Sequence, residues 1–461
     1  MHQGRIGASY LVLLCGPRLR LGLQTSALAI DNLKVVYQWK ELEYAWPDEE
    51  TQLLFSHYVR EKNNPMGVEV AGDRLFITVP RWHAGVAATL NYIYLNDTSE
   101  SPLLNPYPSW KAHQFDDDNI PEVVSTFRVW ADNCDRLWVL DMGVEALRET
   151  REQVVQPSLV IYNLTDDTLL RNYVIPITQT METSHFANVA VEDTTCENTF
   201  AYLADVRNHH LVVYSWASND SWLVEHHYFN PDPLAGHFNT SGLFFQWWDG
   251  VINLALTSGE DGYSTLYFHP LCSNAEFSVS TRILQDPELS TSVGSFHEYT
   301  YLGSRGSNGQ GAASYLDPTT GILFYALSIE NSIGCWNPAS SYDEENVGRV
   351  YANNTTLAFP GDIKIDSSGN IWTLSNRLPT FMFDEWDSDD YNYRVLTGSV
   401  KEAVAGTVCS YGIRTCQTEG LLFILVLLVL GYENVIYFSI LLSEKFVVSI
   451  CVQISIGQNC N

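Results

Sequence analysis

The chain of 461 residues is 46% hydrophobic, 17% charged and 13% aromatic, the composition of a folded protein and not of a disordered one. Its 54 acidic against 25 basic residues leave a formal charge of −29, which excludes a nucleic-acid backbone as partner, since phosphate binding needs basic surface. That charge either draws in cations and amines or keeps an acidic surface solvated.

Residues 1–29 read as an imperfect secretory signal. His2 and Arg5 precede a short apolar run at 6–15, residues 16–20 interrupt it, and Ala27-Leu28-Ala29 offers a cleavage site. Six sequons, at Asn96, Asn163, Asn219, Asn239, Asn353 and Asn354, also speak for export, so the expected location is extracellular. Residues 33–42 form a strand that is expected to close the fold by pairing with the last sheet.

From there a strand–turn–strand unit recurs. Its clearest copy, residues 127–143 (FRVWADNCDRLWVLDMG), runs from an apolar strand through a polar turn into a second strand. Further copies lie at 68–79, 201–214, 244–256, 313–326 and 363–374. Markers at Asp73, Asp135, Asn208, Gly250, Thr320 and Gly369 are separated by 62, 73, 42, 70 and 49 residues. A solenoid keeps a tighter period, so six units of uneven spacing predict an all-β, six-bladed β-propeller over residues 30–409, with a pocket in its central channel. Each unit is read as four strands. The fourth places them at 252–257, 264–271 and 277–284 after its turn, the sixth at 370–375, 380–386 and 393–400, and residues 144–151 read as one short surface turn of helix.

No C-x-x-C pair occurs among the nine cysteines, against a zinc or thioredoxin reading. Cys134, Cys196, Cys272 and Cys335 favour two disulfides, and sequence order pairs Cys134 with Cys196 and Cys272 with Cys335, one of three connectivities. Beyond Cys409 the composition changes: residues 420–430 are almost wholly aliphatic, then Glu433 interrupts the run. Residues 410–461 are therefore either a membrane anchor, the one route to a membrane partner, or a gene-model artefact outside the natural fold.

Seven long motifs resemble the yellow and major royal jelly protein family of insects, above all its yellow branch. They are MGVEVAGDRLFITVPRW (66–82), ATLNYIYL (88–95), CDRLWVLDMG (134–143), FNPDPL (229–234), GYSTLYFHPLCSNAEFSVSTR (262–282), NSIGCW (331–336) and DIKIDSSGNIWTLSNRLP (362–379). The resemblance implies a six-bladed propeller and a role in melanin pigmentation of cuticle. Some relatives convert dopachrome, salivary relatives bind biogenic amines, and others serve nutrition; fold does not choose among these.

The expected partner is thus a small catechol, indole or amine held in the channel, with no cofactor. The rivals are a dopachrome-converting isomerase and a structural matrix protein. The resemblance implies a ligand contact at Asn376, with Gly361 and Leu378 at positions where amine-binding relatives carry a threonine and an aromatic. Asn188 and Asp362, on innermost strands, either face the ligand or satisfy backbone groups near the axis. An isomerase needs a proton carrier, for which His185, just before the inner strand at 186–191, and Asp362 are the candidates. His209-His210 and His226-His227 each place one ring inward by strand alternation. No H-x-H or H-E-x-x-H spacing occurs, so no metal is expected, and the acidic runs at 116–118, 343–345 and 387–390 read as solvated loops.

Overall fold

One side chain holds the turn of the repeating hairpin. Asp132 accepts the amides of Cys134 and Arg136 on Oδ1, both at 2.9 Å, and Trp138 Nε1 on Oδ2 at 2.7 Å. Asp135 closes the turn in the left-handed region, φ +56°. Asp366 repeats the device, accepting the amides of Ser368 and Asn370 at 2.9 Å and Trp372 Nε1 at 2.8 Å. A buried indole is thereby tied to the turn that precedes it, which sets the strand register.

The computed structural model describes residues 32–115, 120–257, 259, 262–384 and 386–410, with the backbone of 435–442 and 446–453. Residues 1–29, the acidic run at 116–118 and the aliphatic run at 420–430 lie outside the described residues. Six four-stranded antiparallel sheets form the blades. Blade 1 holds Gly67–Ala71, Arg74–Thr78, Leu90–Tyr94 and Asn105–Pro106; blade 2 holds Thr126–Ala131, Arg136–Asp141, Ser158–Asn163 and Leu169–Val174. Blade 3 holds Phe186–Glu192, Phe200–Asp205, His210–Ser215 and Asp220–Glu225; blade 4 holds Val251–Leu256, Thr265–Pro270, Ala275–Ser280 and Thr300–Ser304. Blade 5 holds Gly311–Leu316, Leu323–Leu327, Ser332–Trp336 and Val347–Ala352. Blade 6 holds Pro360–Ile365, Asn370–Ser375, Tyr393–Ser399 and, as its outermost strand, Lys34–Trp39.

That last pairing is the closure expected of residues 33–42. Trp39 is buried and donates its Nε1 to Pro102 O at 2.8 Å, locking the N-terminal strand against blade 1. The first strand of each blade packs on the next, and Gly67–Ala71 meets both Thr126–Ala131 and Pro360–Ile365, which completes the ring. The inner strands start at 67, 126, 186, 251, 311 and 360, spacings of 59, 60, 65, 60 and 49 residues.

The markers read from the sequence were uneven because two of them are not first-hairpin turns. Asn208 lies between the second and third strands of blade 3, and Asp249-Gly250 follows a separate ribbon, His237–Thr240 with Leu243–Gln246. Residues 380–386 are not a strand: Leu378–Phe383 is helical, with Pro379 in its first turn. Residues 144–151 do hold a short surface turn, Glu149 N donating to Ala146 O at 2.9 Å, inside a ribbon in which Val144–Glu145 pairs with Glu152–Gln153.

Cys134–Cys196 forms as expected, joining the blade 2 turn to blade 3, but Cys335 pairs with Cys409 and not with Cys272. The third strand of blade 5 lies under the C-terminal segment. A Cβ at Gly348, opposite Cys335 in the sheet, would meet the two sulfurs at 3.1 and 3.2 Å, so this glycine makes the room for the bridge. Cys272 is a free, buried thiol whose ionisation burial pushes up to about 12. Asn96, Asn219, Asn239, Asn353 and Asn354 are exposed, and Asn163 is half-buried. Separately, Val435–Leu442 and Phe446–Gln453 form an antiparallel hairpin. Among the described residues no helix is long and apolar enough to cross a membrane.

The axis is not an open tube. Arg128, on the inner strand of blade 2, reaches across it and donates Nη2 to Ala312 O of blade 5 and Gly361 O of blade 6, each at 2.6 Å. Its Nε lies 3.4 Å from Asp362 Oδ1. Below it, Lys364 Nζ crosses from blade 6 to Val129 O at 3.0 Å and pairs with Glu69 at 3.2 Å.

Arg128→Leu strands the Asp362 carboxylate and should lower the unfolding free energy by about 3–5 kcal/mol. The double variant Arg128→Leu/Asp362→Leu should be no less stable than Arg128→Leu alone, as urea unfolding of the full chain would show. Peptide mapping without reduction should recover Cys335 linked to Cys409, with Cys272 alkylated only after unfolding.

Candidate functional site

Three excursions from the blades stand over one end of the axis: the ribbon loop of blade 2, the ribbon before blade 4 and the helix of blade 6. They bring Arg148, Arg151, Trp247 and Met382 to Trp82, His185, Arg207 and Asp249, around a cavity of about 390 Å³. An adjoining cavity of about 430 Å³ shares Arg148, Arg207, Trp247 and Met382. Every loop involved joins a second strand to a third or one blade to the next, so all lie at the same end of the propeller.

Asp205 organises the floor. Its Oδ1 accepts the amides of His185, Arg207 and Asn208 at 3.0, 3.1 and 3.2 Å, fixing two cavity residues from one carboxylate. Burial pushes this carboxyl upward, but His210 and these hydrogen bonds overcome it and hold it below the usual range. Arg151 Nη2 donates to Ser184 O at 2.8 Å and Glu182 O at 3.1 Å, pinning the loop that presents His185.

The electrostatics are unlike those of the whole molecule. Three guanidinium groups, Arg148, Arg151 and Arg207, face a single carboxyl, Asp249. Arg207 Nη1 lies 3.2 Å from Asp249 Oδ1, while Arg148 stacks over Phe383, 5.5 Å from its ring centre, with no carboxylate partner among the described residues. Burial, and then the charge of Arg207, lowers the ionisation of both Arg148 and Arg151. Burial pushes Asp249 up to about 6 against the pull of Arg207.

His185 packs edge-on to Phe127 at 4.5 Å and Trp82 at 6.3 Å, and burial pushes its ionisation down to about 3, so the ring is neutral at physiological pH. Its Nε2 and the Nε1 of Trp82 have no hydrogen-bond partner among the described residues, although the two side chains are only 8% and 4% exposed. An unpaired buried polar atom costs about 1–3 kcal/mol, so the fold carries these two at some expense.

Of the residues singled out in the sequence, His185 alone lines this cavity. Asn188 donates to Ile252 O at 2.6 Å, tying blade 3 to blade 4. Asp362 accepts Val68 N at 3.0 Å and faces Arg128 inside the axis. Asn376 is fully buried, donating to Pro65 O at 3.0 Å and accepting Leu378 N at 3.2 Å. Gly361 packs beneath it, where a Cβ would lie 2.7 Å from Asn376 Nδ2, and Leu378 is buried beside it. Asn376, Gly361 and Leu378 are thus brought together, but in packed interior. His210 and His226 are buried while His209 and His227 are not, one of each pair inward as expected, though only His210 stands in a strand, and none of the four lines the cavity.

Sequence reasoning missed Trp82, Arg148, Arg151, Arg207, Trp247 and Asp249. The available signal was arginine itself, scarce in so acidic a chain, standing in segments that do not repeat.

The opposite end holds a larger basin of about 830 Å³, lined by Glu69, Trp130, Asp132, Asp193, Tyr315 and Asp366 among others. Asp132, Cys134 and Asp193 present potential ligand atoms within 4.8 Å of one another, but the Cys134 sulfur is spent in its disulfide. No buried side-chain polar atom of the residues lining this basin lacks a partner among the described residues.

A profile described as major royal jelly protein matches residues 124–409, from blade 2 to the end of the propeller. Proteins named yellow align over nearly all of the fold. The one from Drosophila erecta is 37% identical over 397 residues, covering 84% of this chain and 73% of its own. That from Drosophila guanche is 38% identical over 386 residues, 82% and 67% of the two chains. The Drosophila melanogaster protein is 37% identical over 395 residues, 84% and 72%.

Asp249 should titrate close to pH 6 beside Trp247. The difference in tryptophan emission between wild type and Asp249→Asn, followed from pH 4 to 8, should show its midpoint there; a flat difference would contradict the burial assigned to this carboxyl.

Proposed function

The chain belongs to the major royal jelly protein family, and from that premise we propose that it is a secreted pigmentation protein that holds a small catechol or indole in the mouth of its propeller. Its relatives named yellow support the pigmentation half of this reading. The exposed sequons support export. The observation that carries the ligand half is the cavity itself, in which Trp82 and Trp247 wall a space that Arg148, Arg207 and Asp249 also line. A guanidinium only donates, so a guest that presents acceptors, as catechol or quinone oxygens do, suits it. Trp82 and Trp247 supply flat apolar faces for its ring.

Asp249 favours a second reading. A carboxyl poised near 6 in the same cavity suits proton transfer at neutral pH, as an isomerase acting on dopachrome needs. In that reading Asp249 takes the role expected of His185 or Asp362. The neutral His185 stays packed against Phe127 and Trp82, and Asp362 stays committed to the axis.

Calorimetric titration of the full chain with dopamine, serotonin, 3,4-dihydroxyphenylacetate and 5,6-dihydroxyindole tests binding. Arg207→Ala should weaken 3,4-dihydroxyphenylacetate at least tenfold, whereas Asn376→Ala should cost stability and leave affinity unchanged. Silence across the panel would favour a structural matrix role. Loss of dopachrome absorbance above the buffer rate, abolished by Asp249→Asn, would favour the isomerase.

A further inference from the structure

The charge inside the cavity narrows the class of guest. The protein carries −29 overall, yet around this cavity Arg148, Arg151 and Arg207 outnumber Asp249 three to one. Asp249 is already engaged by Arg207 at 3.2 Å, and Arg151 by the carbonyls of Ser184 and Glu182. Arg148 has neither: its guanidinium rests on the Phe383 ring and is without a carboxylate partner among the described residues. A cationic side chain left without an anion beside a concave, half-enclosed space is a place where an anion gains most. The same three charges repel an ammonium.

His185 is neutral in its buried position and adds no charge of either sign. Trp247 and Met382 wall the space with apolar surface.

We infer that the mouth selects an aromatic carboxylate, a catechol- or indole-type ring bearing a carboxyl group, over the same ring bearing an amine. The inference rests on the reading of this cavity as an aromatic-ligand site and goes further in naming the group that decides selectivity. The carboxylate pairs with Arg148 and Arg207 at the rim, and the ring lies against Trp82 and Trp247. Arg is suited to this because its planar fork meets both oxygens of a carboxylate at once. The large negative charge of the outer surface acts on any approaching ion at long range and is screened by salt, whereas contacts inside the cavity are screened far less.

The test pairs 3,4-dihydroxyphenylacetate with dopamine, and indole-2-carboxylate with tryptamine, titrated against the full chain at low and at 0.5 M salt, with sodium sulfate alone as a further arm. Each acid should bind at least tenfold more tightly than its amine. Arg148→Gln should cut that ratio at least threefold while the melting temperature is unchanged. Arg207→Gln, which removes the second guanidinium at the rim, should cut the same ratio, and it keeps the test decisive if the Arg148 variant misfolds. Equal binding of acid and amine, or tighter binding of the amine, overturns the inference and leaves the aromatic site standing. Sulfate binding as tightly as the acids overturns the aromatic half of the class and reduces the site to one for any anion. Binding of no ring compound overturns the site itself and the inference with it.

Discussion

A buried guanidinium crosses the middle of this propeller and the rest of the architecture is arranged around it. Arg128 spends its hydrogen bonds on backbone carbonyls of blades 5 and 6, on the far side of the axis from its own strand. Six sheets in a ring leave an axial space that water would otherwise fill, because backbone groups at the inner strands still need partners. A charge placed there is costly to bury alone, and it is sustained by Asp362 next to it and by the Lys364–Glu69 pair beyond. The result is a ring tied across its diameter as well as around its rim, where Lys34–Trp39 completes blade 6.

Filling the axis separates the two ends, and the ends are built from different parts of the sequence. The turns between first and second strands, where Asp132 and Asp366 each hold an indole, gather at the acidic basin. These turns repeat because each must solve the same problem of register and closure. The opposite end is made from links between second and third strands and from links between blades, which carry no such duty. Ribbon, hairpin and helix are all tolerated there, and that freedom gathers three arginines over a floor set by Asp205.

This division explains what was legible in the sequence and what was not. The blade count, the closing strand and the Cys134–Cys196 bridge follow from local patterns or from neighbours in the chain. The Cys335–Cys409 bridge does not, since it depends on the C-terminal segment returning to lie on blade 5. The candidate site was the hardest to read. Asn188, Asp362 and Asn376 are polar residues on or beside inner strands, and each turns out to satisfy backbone groups where blades meet. A polar residue near an axis is as much needed by the scaffold as by a ligand, and only the partner list tells the two apart. His185 was found because it precedes an inner strand, whereas Arg148 and Arg207 sit in excursions with no repeat to align them.

The mouth differs from the scaffold in how its charge is held. Along the axis Arg128 and Lys364 are buried and reach backbone carbonyls of other blades, so substitution there should be felt as stability. In the mouth Arg148 and Arg207 are exposed, and Arg148 has no carboxylate partner among the described residues. An exposed guanidinium stays solvated and adds little to folding, so exchanging it should cost little stability. Closure of the ring holds the blades independently of these loops, which leaves the loops free to vary in what they carry.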